Sequence, residues 1–143
     1  MRILGLDIGS KRIGVAISDE LGITAQGLET VIRRNPEADL RMVSEIVQRH
    51  GVEEIVAGMP YNMNGTEGPQ AEKVRSFMAM LRDVVDVPVV EWDERLSTVA
   101  AERALLEADM SRAKRRKLMD KVAAVIILQG YLDNKHYEAV SDQ

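Results

Sequence analysis

The succession of strands and helices legible in this sequence predicts an α/β fold: a mixed five-stranded sheet with helices on both faces. Three observations lead there. The first nineteen residues, MRILGLDIGSKRIGVAISD, read as two strands joined by a short turn at Gly9-Ser10-Lys11. Two short apolar stretches, Glu54–Gly58 and Pro88–Trp92, each follow an amphipathic helical pattern. Hairpin-linked strands pair antiparallel, whereas strands reached through a helix form right-handed parallel crossovers, so the sheet must be mixed. At 143 residues the chain reads as one domain, 1–143, with a polar tail at 134–143 expected to fray.

The first strand spans Arg2 to Ile8. Ile3, Leu4, Leu6 and Ile8 form a nearly continuous apolar run, the mark of a strand covered on both faces. Asp7 interrupts it. A carboxylate there is costly without a cation or several hydrogen-bond donors. Gly5 and Gly9 flank it at two-residue spacing and are expected to leave space on its face. Space beside a buried negative charge suits a metal or a phosphate–metal complex; the plainer alternative is an Asp that hydrogen-bonds the turn at Ser10-Lys11.

Arg12 to Ser18 is the returning strand, and Gly22 and Gly27 bracket a bend before a third strand, Leu28 to Ile32. Pro36 opens a helix that buries Leu40, Val43, Ile46 and Val47 and stops at Gly51. After the fourth strand, Met59 to Gly68 is a loop. Pro69 opens a second helix with Val74, Phe77, Met78 and Leu81 inward. Beyond the fifth strand, Ser97 or Thr98 caps a third helix reaching Ala108. A last helix runs from Arg116 to Leu132.

Composition narrows the chemistry. Cysteine is absent, which removes disulfides, thiolate nucleophiles and Cys-based zinc sites. His50 and His136 are far apart, and one Trp, one Phe and three Tyr are too few for a base-stacking platform. No apolar stretch reaches the roughly 18 residues of a membrane span, and no leader precedes the first strand, so a cytoplasmic protein with no membrane association is expected. The net charge of −4 hides an asymmetry. Residues 111–121, SRAKRRKLMDK, carry six basic side chains against Asp120, leaving 13 basic and 22 acidic side chains elsewhere.

In such sheets the site lies at the carboxyl ends of the central parallel strands. Three segments bring acids there: Asp7, the group Glu91, Asp93 and Glu94, and Asp120 at the start of the last helix. The helical row through Asp120 continues with Ala124, Ile127 and Tyr131, which turns it toward the protein body. The alternative is an Asp that merely complements a helix N-terminus. Acids gathered from distant segments suit hard divalent cations, and two such ions can clamp a phosphodiester.

The blocks DIGSKRIGVAISD, GMPYNMNGTEGPQAEKVRSF, WDERLST and MDKVAAVIILQ, in this order, resemble the YqgF family (RuvX), bacterial proteins described as pre-16S rRNA nucleases and as Holliday-junction-resolvase-like. The resemblance runs to Leu132. It implies a ribonuclease-H-like fold and a nuclease dependent on Mg2+ or Mn2+, with two ions when substrate is bound. It also implies nucleic acid as partner, precursor rRNA before branched DNA. Asp7 resembles the family's first-strand acid, Glu94 the acid of its DER motif, with Asp93 the alternate ligand, and Asp120 its helix acid. Junction resolution would require two active sites and hence a homodimer.

Secondary contacts are expected from Lys11 and Arg12 in the turn beside Asp7, from Arg95, and from Arg112, Lys114, Arg115, Arg116 and Lys117, each of which has a plain surface role as its alternative. Gly58, Pro60, Gly65 and Gly68, with the helix start at Pro69, form a candidate phosphate loop or simply shape a long turn. Two other classes compete. Actin-like ATPases and sugar kinases begin with a similar DxG hairpin but need a second domain, and a non-catalytic binding module of the same fold would not need all three acids.

Overall fold

The computed structural model describes residues 1–96 and 112–141, with side chains described up to 96 and from 122 to 138. Five strands, β1 (Ile3–Ile8), β2 (Arg12–Ser18), β3 (Ala25–Ile32), β4 (Glu54–Met59) and β5 (Val89–Asp93), form one sheet in the order β3-β2-β1-β4-β5. β1, β2 and β3 are antiparallel neighbours, while β1, β4 and β5 run parallel. The mixed sheet expected from the sequence is therefore present. Among the described residues the helices are α1 (Pro36–His50), α2 (Pro69–Val84) and α3 (Arg112–Ser141). The helix expected from Ser97 or Thr98 to Ala108 lies outside the described residues.

The near-continuous apolar strands explain why both faces are covered. Leu4, Leu6 and Ile8 point to one face and pack with Val43, Ile46, Phe77 and Leu81 of α1 and α2. Ile3, Ala16, Val56 and Trp92 point to the other face and pack with Ala124, Ile127, Leu128 and Leu132 of α3. Each fully buried Leu, Ile or Phe contributes roughly 1.5–3 kcal/mol. α1 carries both expected end signals. The Asn35 side chain caps its first turn through Ala38 N at 2.9 Å, and Gly51 ends it in the left-handed conformation, φ 61°.

Three expectations are corrected. Gly27 does not end a bend; β3 begins at Ala25 and passes a bulge near Val15/Ala16, with Ala25 N donating to Gln129 Oε1 at 2.9 Å. The last helix begins at Arg112, so Asp120 lies inside it and not in its first turn. The tail at 134–143 was expected to fray, yet α3 continues to Ser141. Polar anchors hold it past the apolar row: Lys135 Nζ lies 3.1 Å from Glu54 Oε1, and the His136 ring bonds the Gly22 carbonyl at 3.0 Å.

Candidate active site

Asp7 lies on the face of β1 that α3 covers, in the same row as Ile3 and Gly5. Its partner on β2 is Gly14, and on β4 the residue following the Leu6↔Ala57 pair is Gly58. Asp7 thus has glycine on both neighbouring strands. Gly5 and Gly9 do not leave the space expected of them. A Cβ on Gly5 would stand 2.7 Å from Leu128 Cβ, and one on Gly9 would stand 2.8 Å from the Arg12 carbonyl oxygen. Gly5 admits α3, Gly9 closes the hairpin, and the space over Gly58 is taken by Ile127 and Glu94. The backbone next to Asp7 is held from the opposite side of the sheet. Gln70 Nε2 donates to Ile8 O at 3.1 Å, and Arg33 Nη1 donates to Gly9 O at 2.8 Å. Arg33 is itself fixed by buried Asp39, Nε to Oδ2 3.0 Å, and lies over the Phe77 ring.

Gly58, one of the candidate phosphate-loop residues, sits in β4 just before the loop. A Cβ there would meet Glu94 Cγ at 3.2 Å and Ile127 Cδ1 at 2.4 Å. Glu94 begins a short 3-10 turn, Glu94–Leu96, straight after β5, and folds over Gly58 with its Oε1 buried. Asp7 and Glu94 therefore both lie at the carboxyl ends of the parallel strands, Glu94 directly against Gly58.

The neighbouring acids are otherwise engaged. Asp93 accepts from Arg95 N at 2.9 Å and pairs with Arg95 Nη2 at 2.6 Å, and these bonds from Arg95 hold its carboxyl below the usual carboxylate range. Glu91 accepts from Tyr61 Oη at 2.6 Å and pairs with Arg75 Nη1 at 3.1 Å. Arg75 also pairs with Glu67. Arg95 further donates to Met63 O at 3.3 Å and lies over the Tyr61 ring. These contacts tie the loop at 60–68 to the end of β5. Within the loop, Asn62 N donates to Thr66 O at 2.8 Å, and Gly65 takes φ 86° beside the Arg95 guanidinium. Gly68 caps α2 with Pro69 following, and the cap has no side-chain hydrogen bond.

α3 runs antiparallel to β1. Leu132 shares a surface hollow with Ile3, and Leu128 and the Ala124 carbonyl lie against Gly5 further along. Asp120 precedes Ala124 by one helical turn. Its side chain, and those of Arg112, Lys114, Arg115, Arg116 and Lys117, lie outside the described residues, although their backbone belongs to α3. Lys11 is exposed and Arg12 half-buried in the β1–β2 turn.

Among the described residues no group of three metal-ligating side chains occurs. The carboxylates of Asp7 and Glu94 fit a hard divalent cation in kind: the donors are oxygens, and the missing Cβ at Gly58 leaves Glu94 room at the strand ends. Sequence reasoning missed Gly14 and the supports at Arg33, Asp39 and Gln70. The strand register is the only signal that could have found Gly14.

The architecture is a ribonuclease-H-like fold. Across 95% of this chain and 96% of the other, it matches Thermus thermophilus RuvC in complex with Holliday junction substrate, with a TM-score of 0.62 at 17% identity. The fowlpox virus Holliday junction resolvase matches over 94% of this chain and 99% of its own with a TM-score of 0.55 at 16% identity, and at such identities the likeness is one of fold. Residues 1–134 match the RuvX family, described as Holliday junction resolvase, and the chain belongs to that family. Curated relatives include proteins of Halothermothrix orenii, 60% identical over 93% of this chain and 95% of theirs, and Symbiobacterium thermophilum, 62% identical over 93% and 92%; both carry the name "Putative pre-16S rRNA nuclease".

Proposed function

We propose that this protein is a divalent-metal-dependent nuclease that hydrolyses phosphodiester bonds in structured nucleic acid, its substrate the 5′ end of precursor 16S rRNA in the cytoplasm. The reading is supported by the position of Asp7 near the end of β1 and of Glu94 packed against Gly58 at the end of the neighbouring β4, both at the carboxyl ends of the parallel strands. The course of α3 supports Asp120 as the third acid: continued one turn past Ala124, it brings position 120 level with Asp7. The names borne by relatives of about 60% identity favour ribosomal RNA as substrate.

Asp7, Glu94 and Asp120 would hold Mg2+ or Mn2+, and such ions, when bound, lower the pKa of a water and stabilise the leaving oxygen. The chain itself orients the reacting groups. Gln70 and Arg33 fix the backbone on which Asp7 sits, and Arg95 keeps Asp93 ion-paired while Glu94 turns inward. Lys11, Arg12 and the run from Arg112 to Lys117 are proposed to meet substrate phosphates. The family description favours a second reading, a dimer acting on four-way DNA junctions.

The test is a cleavage assay on a precursor 16S rRNA 5′ fragment, duplex RNA and a four-way DNA junction, with wild type and Asp7→Asn. Metal-dependent cutting of the RNA by wild type, reduced to background in a folded Asp7→Asn, is expected, because Asn keeps the shape but lacks the charge a metal requires. Cutting of the junction alone would move the assignment to the second reading, and equal rates in both proteins would remove the site.

A further inference from the structure

The end of the sheet that carries Asp7 has a second basic feature, on the face away from α3. An open cavity of about 880 Å³ lies between the β1–β2 turn and the first turns of α1 and α2. Lys11, Arg12, Arg33, Arg34 and Lys73 line it, against Asp39 and Glu72. Five cations therefore line it against two acids, one of which, buried Asp39, is paired with Arg33, on a chain whose net charge is −4. Arg34 and Lys73 are exposed, and among the described residues neither side chain has an ion-pair partner. Ser10 and Ser76 add hydroxyls to the same wall.

We propose that this cavity is a track for the phosphate backbone of the nucleic-acid strand flanking the scissile phosphate, with Arg34 and Lys73 as its principal contacts. The proposal rests on the nuclease reading for what is cut, and on charge and continuity for where the strand runs. Ser10, Lys11 and Arg12 form the turn that β1 enters directly after Asp7, so the track begins where the candidate active site ends. An excess of basic side chains spread around a cavity of this size, Lys11, Arg34 and Lys73 among them, exceeds the need of one phosphate group and matches a chain of them. The N-termini of α1 and α2 open on the same hollow and add to its positive potential.

Fluorescein-labelled RNA hairpins with single-stranded flanks of increasing length, bound in chelator so that none is cut, test this by anisotropy across a salt series. Wild type is expected to bind more tightly as the flank lengthens. With the long flank only, the variant R34Q/K73Q should show a slope of log affinity against log salt shallower by about 1.4–1.8, the loss of two phosphate contacts. R41Q/R49Q removes the same charge from exposed positions on α1 outside the cavity, and should behave as wild type. Equal weakening in both variants, or the absence of any flank dependence, overturns the track. Pyrophosphate bound by wild type and not by R34Q/K73Q, again without flank dependence, would give the cavity to a small anion instead. A wild type that cuts no substrate yet shows the flank dependence removes the nuclease reading and keeps the track.

Discussion

Asp7 sits among glycines. Gly14 pairs with it on β2, Gly58 on β4 admits Glu94 and Ile127, and Gly5 on its own strand admits α3. The sequence showed Asp7 as an anomaly inside an apolar strand, but the lateral glycines depend on register, which is non-local and cannot be read from one strand. The choice between Asp93 and Glu94 was equally closed to alternation, because the chain turns just there. The arrangement around them now yields a separable pair of outcomes: Glu94→Gln should bring cleavage to background, whereas Asp93→Asn should leave the chemistry in place and loosen the loop at 60–68. Single-turnover rates of both variants check this, and loss of chemistry in Asp93→Asn with retention in Glu94→Gln would reverse the assignment. Asp93 also sets a pH dependence. Its folded pKa is depressed by Arg95, so its contribution to the loop is present above the unfolded value, about 3.9, and is lost as pH falls through the lower folded value. Titration of the Asp93 carboxyl carbon by NMR should follow that order, and a midpoint above the unfolded value would contradict it.

At the scale of elements, the contact of α3 with β4 is where packing and chemistry meet. Ile127 and Glu94 share the space over Gly58. Gly58→Ala should therefore impair both the fold and the site: its Cβ would stand 2.4 Å from Cδ1 and 3.0 Å from Cγ1 of fully buried Ile127, and Glu94 Cγ must shift by a few tenths of an ångström. Cleavage rate and melting temperature measured together test this, and a large loss of stability with full activity would contradict it. The basic start of α3 carries its own expectation. Neutralising Arg115, Arg116 and Lys117 should weaken all nucleic-acid substrates alike and flatten the salt slope by roughly 0.7–0.9 for each lost contact. Unchanged affinity and slope would return the segment to a solvated helix face. The helix's far end was illegible for a simple reason. Its apolar row stops at Leu132, and the turns beyond are held by Lys135, His136 and the carbonyl of Gly22, polar partners distant in sequence.

For the molecule as a whole, the hydrophobic pattern carried the fold class, since doubly apolar strands and amphipathic helices admit few arrangements. It pointed to the carboxyl ends of the parallel strands as the candidate site, and Asp7, Gly58 and Glu94 lie at those ends. The supporting frame on the opposite face was not legible, because Arg33, Asp39 and Gln70 look like ordinary surface residues until the sheet and both helices come together around them. The proposed convergence of the acids on one ion would have a thermodynamic consequence that needs no knowledge of substrate. A cation that binds the folded state and not the unfolded chain stabilises by about 2.7 kcal/mol at a hundredfold over its dissociation constant. In a domain of this size that raises the melting temperature by roughly 2–8 °C. The decisive measurement is thermal unfolding of wild type, Asp7→Asn, Glu94→Gln and Asp93→Asn, in chelator and across a manganese titration to saturation. Wild type and Asp93→Asn should rise together, and Asp7→Asn and Glu94→Gln should each lose most of the shift. Equal shifts in all four proteins, or a shift lost in Asp93→Asn and kept in Glu94→Gln, would contradict a metal site shared by Asp7 and Glu94.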